Sequence, residues 1–63
     1  MKIIAFRKTA NRYWAVMDDG KEFLVSYVFV TKRWGILAEL IRETEGNFCA
    51  DVAEGTKVPE ELM

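Results

Sequence analysis

The chain contains no histidine, one cysteine and one proline among its 63 residues. Without histidine it lacks the side chain whose unperturbed pKa lies nearest to neutral pH. Cys49 stands alone, so the chain can form neither an intrachain disulfide nor a zinc site of cysteines and histidines. A single cysteine is also typical of proteins in a reducing compartment. We therefore expect a chain that uses no metal and no cofactor.

Long apolar runs are absent as well. None approaches the roughly 20 residues that a membrane-spanning helix needs. Residues 1–6 are too few for a signal-peptide core, and they run directly into Arg7 and Lys8. With 51% hydrophobic and 30% charged residues, the composition is that of a globular protein. We expect a cytoplasmic protein that makes no membrane contact.

Motifs that support catalysis are missing too. The sequence has no nucleophile elbow, no phosphate-binding glycine-rich loop and no metal-ligand spacing. Asp18 and Asp19 form a carboxylate pair, but they precede Gly20 in a segment typical of a turn. Cys49 lies in an apolar stretch and is interpreted as a small buried hydrophobic residue. We predict no catalytic residue and no enzymatic activity.

Three strands are predicted in the first half of the chain, over residues 2–8, 12–17 and 22–30. The third is almost entirely aromatic and β-branched, as a buried strand should be. Asp19-Gly20 favours a two-residue type I′ turn, which would place Val16 opposite Phe23 and Trp14 opposite Val25. A three-residue first loop at residues 9–11 then brings Ile4 and Phe6 onto the same face.

A helix is predicted after the third strand. Trp34, Leu37, Ala38 and Ile41 recur at helical spacing, with Thr31 as the N-cap and Gly46 just past the end. The helical spacing also extends back to Tyr27, so a longer helix capped by Ser26 is the alternative. The predicted core follows from these faces and comprises Ile4, Phe6, Trp14, Val16, Phe23, Val25, Trp34, Leu37, Ile41 and Phe48.

The predicted fold is therefore α+β, in the order β-β-β-α-β. A three-stranded antiparallel meander is followed by one helix packed on one sheet face and by a short fourth strand at residues 47–52. That strand could lie beside the first strand or beside the third. Residues 1–54 form one domain, and residues 55–63 form a C-terminal tail, expected to be mobile, in which Pro59 could open one helical turn.

The sheet face opposite the predicted helix is unusually apolar. An antiparallel sheet that leaves one face in water normally carries polar residues there, and exposed apolar patches tend to mark interfaces. A single core in so small a domain also provides little stability, which favours association with another chain. The predicted partner-binding residues are Ile3, Ala5, Tyr13, Met17, Leu24, Ile36 and Leu40. The alternative is that the tail or the fourth strand covers part of this surface.

A second predicted surface is basic. Residues 1–33 hold seven Lys or Arg against three Asp or Glu, whereas residues 34–63 hold two against seven. The chain direction predicts that five of these cations gather at one end of the sheet, beside the predicted helix N-terminus, where an anion or a nucleic acid could bind. They are Arg7, Lys8, Arg12, Lys32 and Arg33. The alternative is that the tail carboxylates of Glu54, Glu60 and Glu61 fold back onto them.

These features favour a small, non-enzymatic protein–protein interaction module. It would act as a regulator or inhibitor of a larger partner, or through homo-oligomerisation, with a homodimer as the simplest form. The small size also suits an accessory protein, for example a viral one. Nucleic-acid binding through the basic end is the alternative function.

Overall fold

The computed structural model describes all 63 residues and contains five strands closed into one barrel. The strands are β1 (Lys2–Thr9), β2 (Arg12–Met17), β3 (Glu22–Thr31), β4 (Gly35–Ile41) and β5 (Phe48–Val52), and a single 3₁₀ turn follows at Glu60–Leu62. Neighbouring strands along the chain pair antiparallel. Because the number of strands is odd, the first and the last run in the same direction, and β1 and β5 close the barrel as a parallel pair.

The predicted helix is wrong, and with it the α+β fold class. Residues 35–41 form strand β4, which pairs with β3 from Thr31↔Gly35 to Leu24↔Ile41. Gly35 has a φ of +79°, a left-handed conformation that suits a hairpin and not a helix interior. Thr31 is therefore not a helix N-cap; its hydroxyl accepts a hydrogen bond of 2.9 Å from the Trp34 amide within the hairpin turn. Helical spacing was misleading because β4 has apolar residues on both faces.

The two hairpin loops are the reverse of those predicted. Thr9 pairs with Arg12, so the first loop has two residues, and Ala10 takes a φ of +51°. The loop after β2 has three residues, since the Met17 amide donates to the Lys21 carbonyl at 2.8 Å. Gly20 supplies the positive φ of +88° that ends this turn.

The longer second loop shifts the β2–β3 register by one residue. Trp14 lies opposite Leu24, and Ala15 lies opposite Phe23. A shift of one residue moves every side chain of a strand to the other face. Ala15 and Met17 therefore point into the barrel, while Trp14 and Val16, which were predicted in the core, lie on its outside.

A bulge in β1 allows the two-residue first loop without turning a charged side chain into the core. The β1–β2 register shifts between Ile3 and Ala5, so that Ile3 and Phe6 both face inward although they are three residues apart. Without the bulge, strict alternation from Ile3 would turn Arg7 inward as well. With it, Arg7 points out, and its Nε atom lies 2.6 Å from Glu22 Oε1.

The core is small and consists largely of side chains from alternate strand positions. The fully or almost fully buried residues are Ile3, Ala15, Met17, Ala38, Leu40 and Ala50, with Phe6, Phe23, Val25, Val28, Phe48 and Val52 packed against them. The prediction is confirmed for Phe6, Phe23, Val25 and Phe48. It is wrong for Ile4 and Trp34, which are exposed, and Leu37 and Ile41 are only partly buried.

The predicted fourth strand is confirmed as β5, with Ala50 buried and Phe48 and Val52 packed on the core. It lies between β4 and β1. Of the two positions that the sequence left open, the one beside the first strand is therefore correct. Cys49 points outward and is exposed, so its interpretation as a buried residue is wrong.

Candidate interaction surface

Strand β3 is longer than either of its neighbours, and part of one edge has no partner. It pairs with β2 only over Glu22–Leu24, whereas its pairing with β4 continues to Thr31. None of the backbone hydrogen bonds outside the strand ladders involves residues 26–31. In this segment β3 has a neighbour on the β4 side alone. Residues 26–31 are named here the free edge.

The side chains of the free edge are uncharged and largely apolar. Tyr27 and Phe29 lie two positions apart on the outer face, with ring centroids separated by 5.4 Å. Val30 pairs with Ile36 of β4 near the end of the hairpin and remains 63% exposed. Natural sheets usually protect an open edge with charged residues, proline, a bulge or a covering segment. Here a bulge between Val25 and Tyr27 is the one such device.

The β3–β4 turn adds an exposed aromatic ring beside two cations. Trp34 is 64% exposed, and the Arg33 guanidinium lies 5.4 Å from the centre of its ring. Lys32 and Arg33 form no ion pair. The turn therefore presents a flat apolar surface and uncompensated positive charge at one end of the free edge.

At the other end of the free edge, a cleft opens on the outside of β2, β3 and β4. Trp14, Leu24 and Ile41 lie side by side across these three strands and line the cleft together with Arg12 and Glu43. The Trp14 indole is fixed because its Nε1 atom donates to Thr9 Oγ1 at 2.8 Å. Arg12 forms no ion pair, although Glu43 lines the same cleft, so this end of the edge also carries an unpaired cation.

The seven predicted partner-binding residues do not form one surface. Ile3, Met17 and Leu40 are completely buried, so they are not available for contacts in the folded chain. The other four lie on four different strands. Ala5 and Tyr13 line a cleft with the C-terminal tail, Leu24 lines the outer cleft, and Ile36 lies beside Trp34.

The five predicted basic residues fall into two groups. Arg7 and Lys8 are engaged, by Glu22 and by Glu61 at 3.2 Å respectively. Arg12, Lys32 and Arg33 form no ion pair and flank the free edge. The helix N-terminus that was expected to hold an anion beside them does not exist.

The tail reaches the basic residues through Glu61. This carboxylate accepts a hydrogen bond of 2.5 Å from the Tyr13 hydroxyl as well as the contact from Lys8. Both donors favour the charged carboxylate, Tyr13 more than Lys8, and they lower the pKa of Glu61. The same contact raises the pKa of Lys8 and of Tyr13. Of the three tail carboxylates considered from the sequence, Glu54 and Glu60 form no ion pair.

Glu39 is the acidic residue opposite the aromatic part of the free edge. It pairs with Tyr27 across β3 and β4, and its charge raises the pKa of the Tyr27 hydroxyl. Glu39 Oε1 also accepts a 3.0 Å bond from the Asn47 side chain. Its charge is therefore partly satisfied within the chain.

The free edge was missed in the sequence, although a signal for it was present. The β-forming run from Glu22 to Thr31 is ten residues long, whereas β2 has only six. A strand cannot pair beyond the end of its neighbour. The greater length of β3 therefore indicates a segment that has no partner on the β2 side.

The structure contains no group of three or more acidic, cysteine or histidine side chains placed to hold a metal ion. No helix in it has the length and apolar character required to cross a membrane.

Comparisons with protein-family models, with curated proteins and with solved structures give no match for this chain.

Proposed function

We propose that the chain is a small, non-enzymatic protein–protein interaction module that binds its partner along the free edge of β3. The observation that carries the proposal is an uncharged strand segment of six residues that has no partner on one of its two edges and that exposes Tyr27 and Val30. Unpaired backbone donors and acceptors on such an edge can bind a further strand, and pockets for alternate side chains provide specificity.

The partner in this proposal is either a larger protein that the module regulates or a second copy of the chain. Both would add a strand to the same edge, so both depend on the same residues. In such a contact the main-chain hydrogen bonds provide the affinity. Binding of this kind involves no catalytic group. The rigid barrel holds β3 in its extended conformation before the partner arrives, which reduces the entropic cost of binding.

The experiment compares two lysine substitutions that are matched in chemistry and exposure. Val30→Lys introduces a charge at the free edge, whereas Ile4→Lys introduces one on β1, where the side chain is 51% exposed. A random peptide library is selected on the wild-type protein, and the selected peptides are then tested on both variants. We expect Val30→Lys to lose binding and Ile4→Lys to keep it.

Two outcomes would overturn the proposal. One is the absence of any selected peptide, and the other is equal binding by the wild type and by Val30→Lys. Light scattering over about a hundredfold dilution identifies self-association in the same preparation, because the mass of an associating chain depends on its concentration.

Nucleic-acid binding is the second candidate, and one observation favours it. Arg12, Lys32 and Arg33 carry no ion pair, and Trp34 offers an exposed ring on which a base could stack. If these three cations contact a single strand, the affinity should fall with salt with a log–log slope of about −2. Anisotropy measured with a labelled oligonucleotide tests this, and Lys32→Ala should reduce the slope. If the labelled oligonucleotide does not bind at physiological salt concentration, nucleic-acid binding is excluded.

A further inference from the structure

We propose that the occupant of the free edge is an extended segment of another protein, with an apolar centre and acidic residues on both sides. This inference rests on the proposed function and specifies the chemistry of the partner. It follows from the charges at the two ends of the edge and from the side chains between them.

The free edge is long enough for one docking strand. At about 3.3 Å per residue, its six residues span roughly 20 Å, which is the usual length of a strand. No charged side chain lies within residues 26–31. The centre of the docking segment therefore meets only aromatic, β-branched and hydroxyl side chains.

The two faces of the docking strand would meet different surfaces. On the outside lie Tyr27 and Phe29, whose rings are already packed against each other. On the inner side lie Val28, which packs on the core, and Val30, which is exposed. Aromatic and β-branched residues form favourable cross-strand pairs. We expect apolar residues at successive positions of the docking segment.

Both ends of the free edge carry cations that form no ion pair within the chain. Arg12 is the first residue of β2 and lies beside the start of the edge, where β2 stops pairing with β3. Lys32 and Arg33 follow its end. Two of the nearby acidic side chains are already engaged, Glu22 by Arg7 and Glu39 by Asn47. Glu43 lines the cleft with Arg12 but forms no ion pair, so the Lys32-Arg33 end carries the stronger uncompensated positive charge. Acidic residues before and after the docking strand would complement these cations.

The same charges disfavour a second copy of the chain as the occupant. In an antiparallel β3–β3 pair, Lys32 and Arg33 of one copy would approach Arg12 of the other. This would happen at both ends, because the pair is two-fold symmetric. In a parallel pair, the two Lys32-Arg33 turns would lie side by side. Like charges that face each other across strands are destabilising, so a heterologous acidic segment fits better.

The test uses three synthetic peptides that share one centre of alternating valine and phenylalanine. The peptides differ only in their ends, which carry two aspartates, two asparagines or two lysines on each side. The wild-type protein is compared with a double variant, Arg12→Glu with Lys32→Glu. The control is Lys21→Glu with Lys57→Glu, which changes the net charge equally and also replaces exposed lysines without ion pairs.

We expect the wild type and the control variant to bind the aspartate peptide about tenfold more tightly than the asparagine peptide, as a few exposed ion pairs allow. The Arg12/Lys32 variant should lose this preference and favour the lysine peptide. The preference of the wild type should also decrease with added salt.

The other outcomes separate the two proposals. If the wild type binds the aspartate and asparagine peptides equally, and Val30→Lys abolishes both, the edge docks a strand but the acidic partner is wrong. If Val30→Lys retains binding of the aspartate peptide, the charges act elsewhere and the inference is wrong. Binding is tested up to a peptide concentration of about 1 mM, which would detect even a weak complex. If no peptide binds at that concentration, both proposals are overturned.

Discussion

Leu37 and Leu40 form a matched pair that tests the barrel against the helix-on-sheet alternative. In the barrel, Leu40 is completely buried, while Leu37 lies on the outer face and is partly exposed. In a helix that packs through Trp34, Ala38 and Ile41, the burial of the two leucines would be reversed. Leu→Ala at a buried site costs about 2–5 kcal/mol, whereas loss of a half-buried side chain costs about 1 kcal/mol.

The assay is urea denaturation followed by tryptophan fluorescence. With a slope of about 1 kcal/mol per molar urea for so small a domain, Leu40→Ala should lower the midpoint by at least about 2 M and Leu37→Ala by about 1 M. If Leu40→Ala is unfolded without urea, Leu40→Met and Leu37→Met give the same ranking with smaller shifts. A larger loss at position 37 than at position 40 would refute the barrel register.

Three further variants test individual contacts. Gly35→Ala should lower the free energy of unfolding by about 1–2 kcal/mol, because Ala is strained at a φ of +79°. The loss comes from the backbone alone, since no atom lies within 4 Å of the added Cβ. An unchanged thermal midpoint would contradict the turn geometry. Trp14→Ala should stay folded and lose less stability than Leu40→Ala, since Trp14 lies on the outer face, and complete unfolding would contradict that position. The Tyr13–Glu61 contact should be intact above the ordinary carboxyl pKa of 4.5 and should break as the pH falls through the lowered pKa of Glu61. Chemical shifts of the Tyr13 ring should report this transition in the wild type and not in Glu61→Gln, and a pH-independent shift would exclude the contact.

Strands were predictable from the sequence where their residues have strong β-propensity. The bounds of the first three strands and the existence of β5 follow from aromatic and β-branched runs between turn residues. Strand β4 was not predictable in the same way, because Leu37, Ala38, Glu39 and Leu40 are good helix formers. Pairing with β3 and β5 overrides that preference, and Ile36 and Leu40, which did not fit the helical stripe, were the evidence against a helix.

Register was harder to predict, since it depended on loop lengths that differ by one residue. Asp19-Gly20 suits a two-residue turn and also the end of a three-residue loop, so local chemistry did not decide between them. The bulge in β1 then allowed Ile3 and Phe6 to share a face. Of the candidate surface, the unpaired cations Arg12, Lys32 and Arg33 were identified from the sequence. The free edge between them depends on which strand ends first, a property of the assembled barrel.

Amide hydrogen exchange along β3 tests the central claim most directly. In the free protein, at a concentration where light scattering shows a monomer, amides of residues 26–31 that face away from β4 should exchange rapidly, while those of Glu22–Leu24 should be protected. Addition of the aspartate-flanked peptide should then slow exchange within residues 26–31. Uniform protection across β3 in the free monomer, or no change on adding a peptide that binds, would contradict a docking edge on this strand.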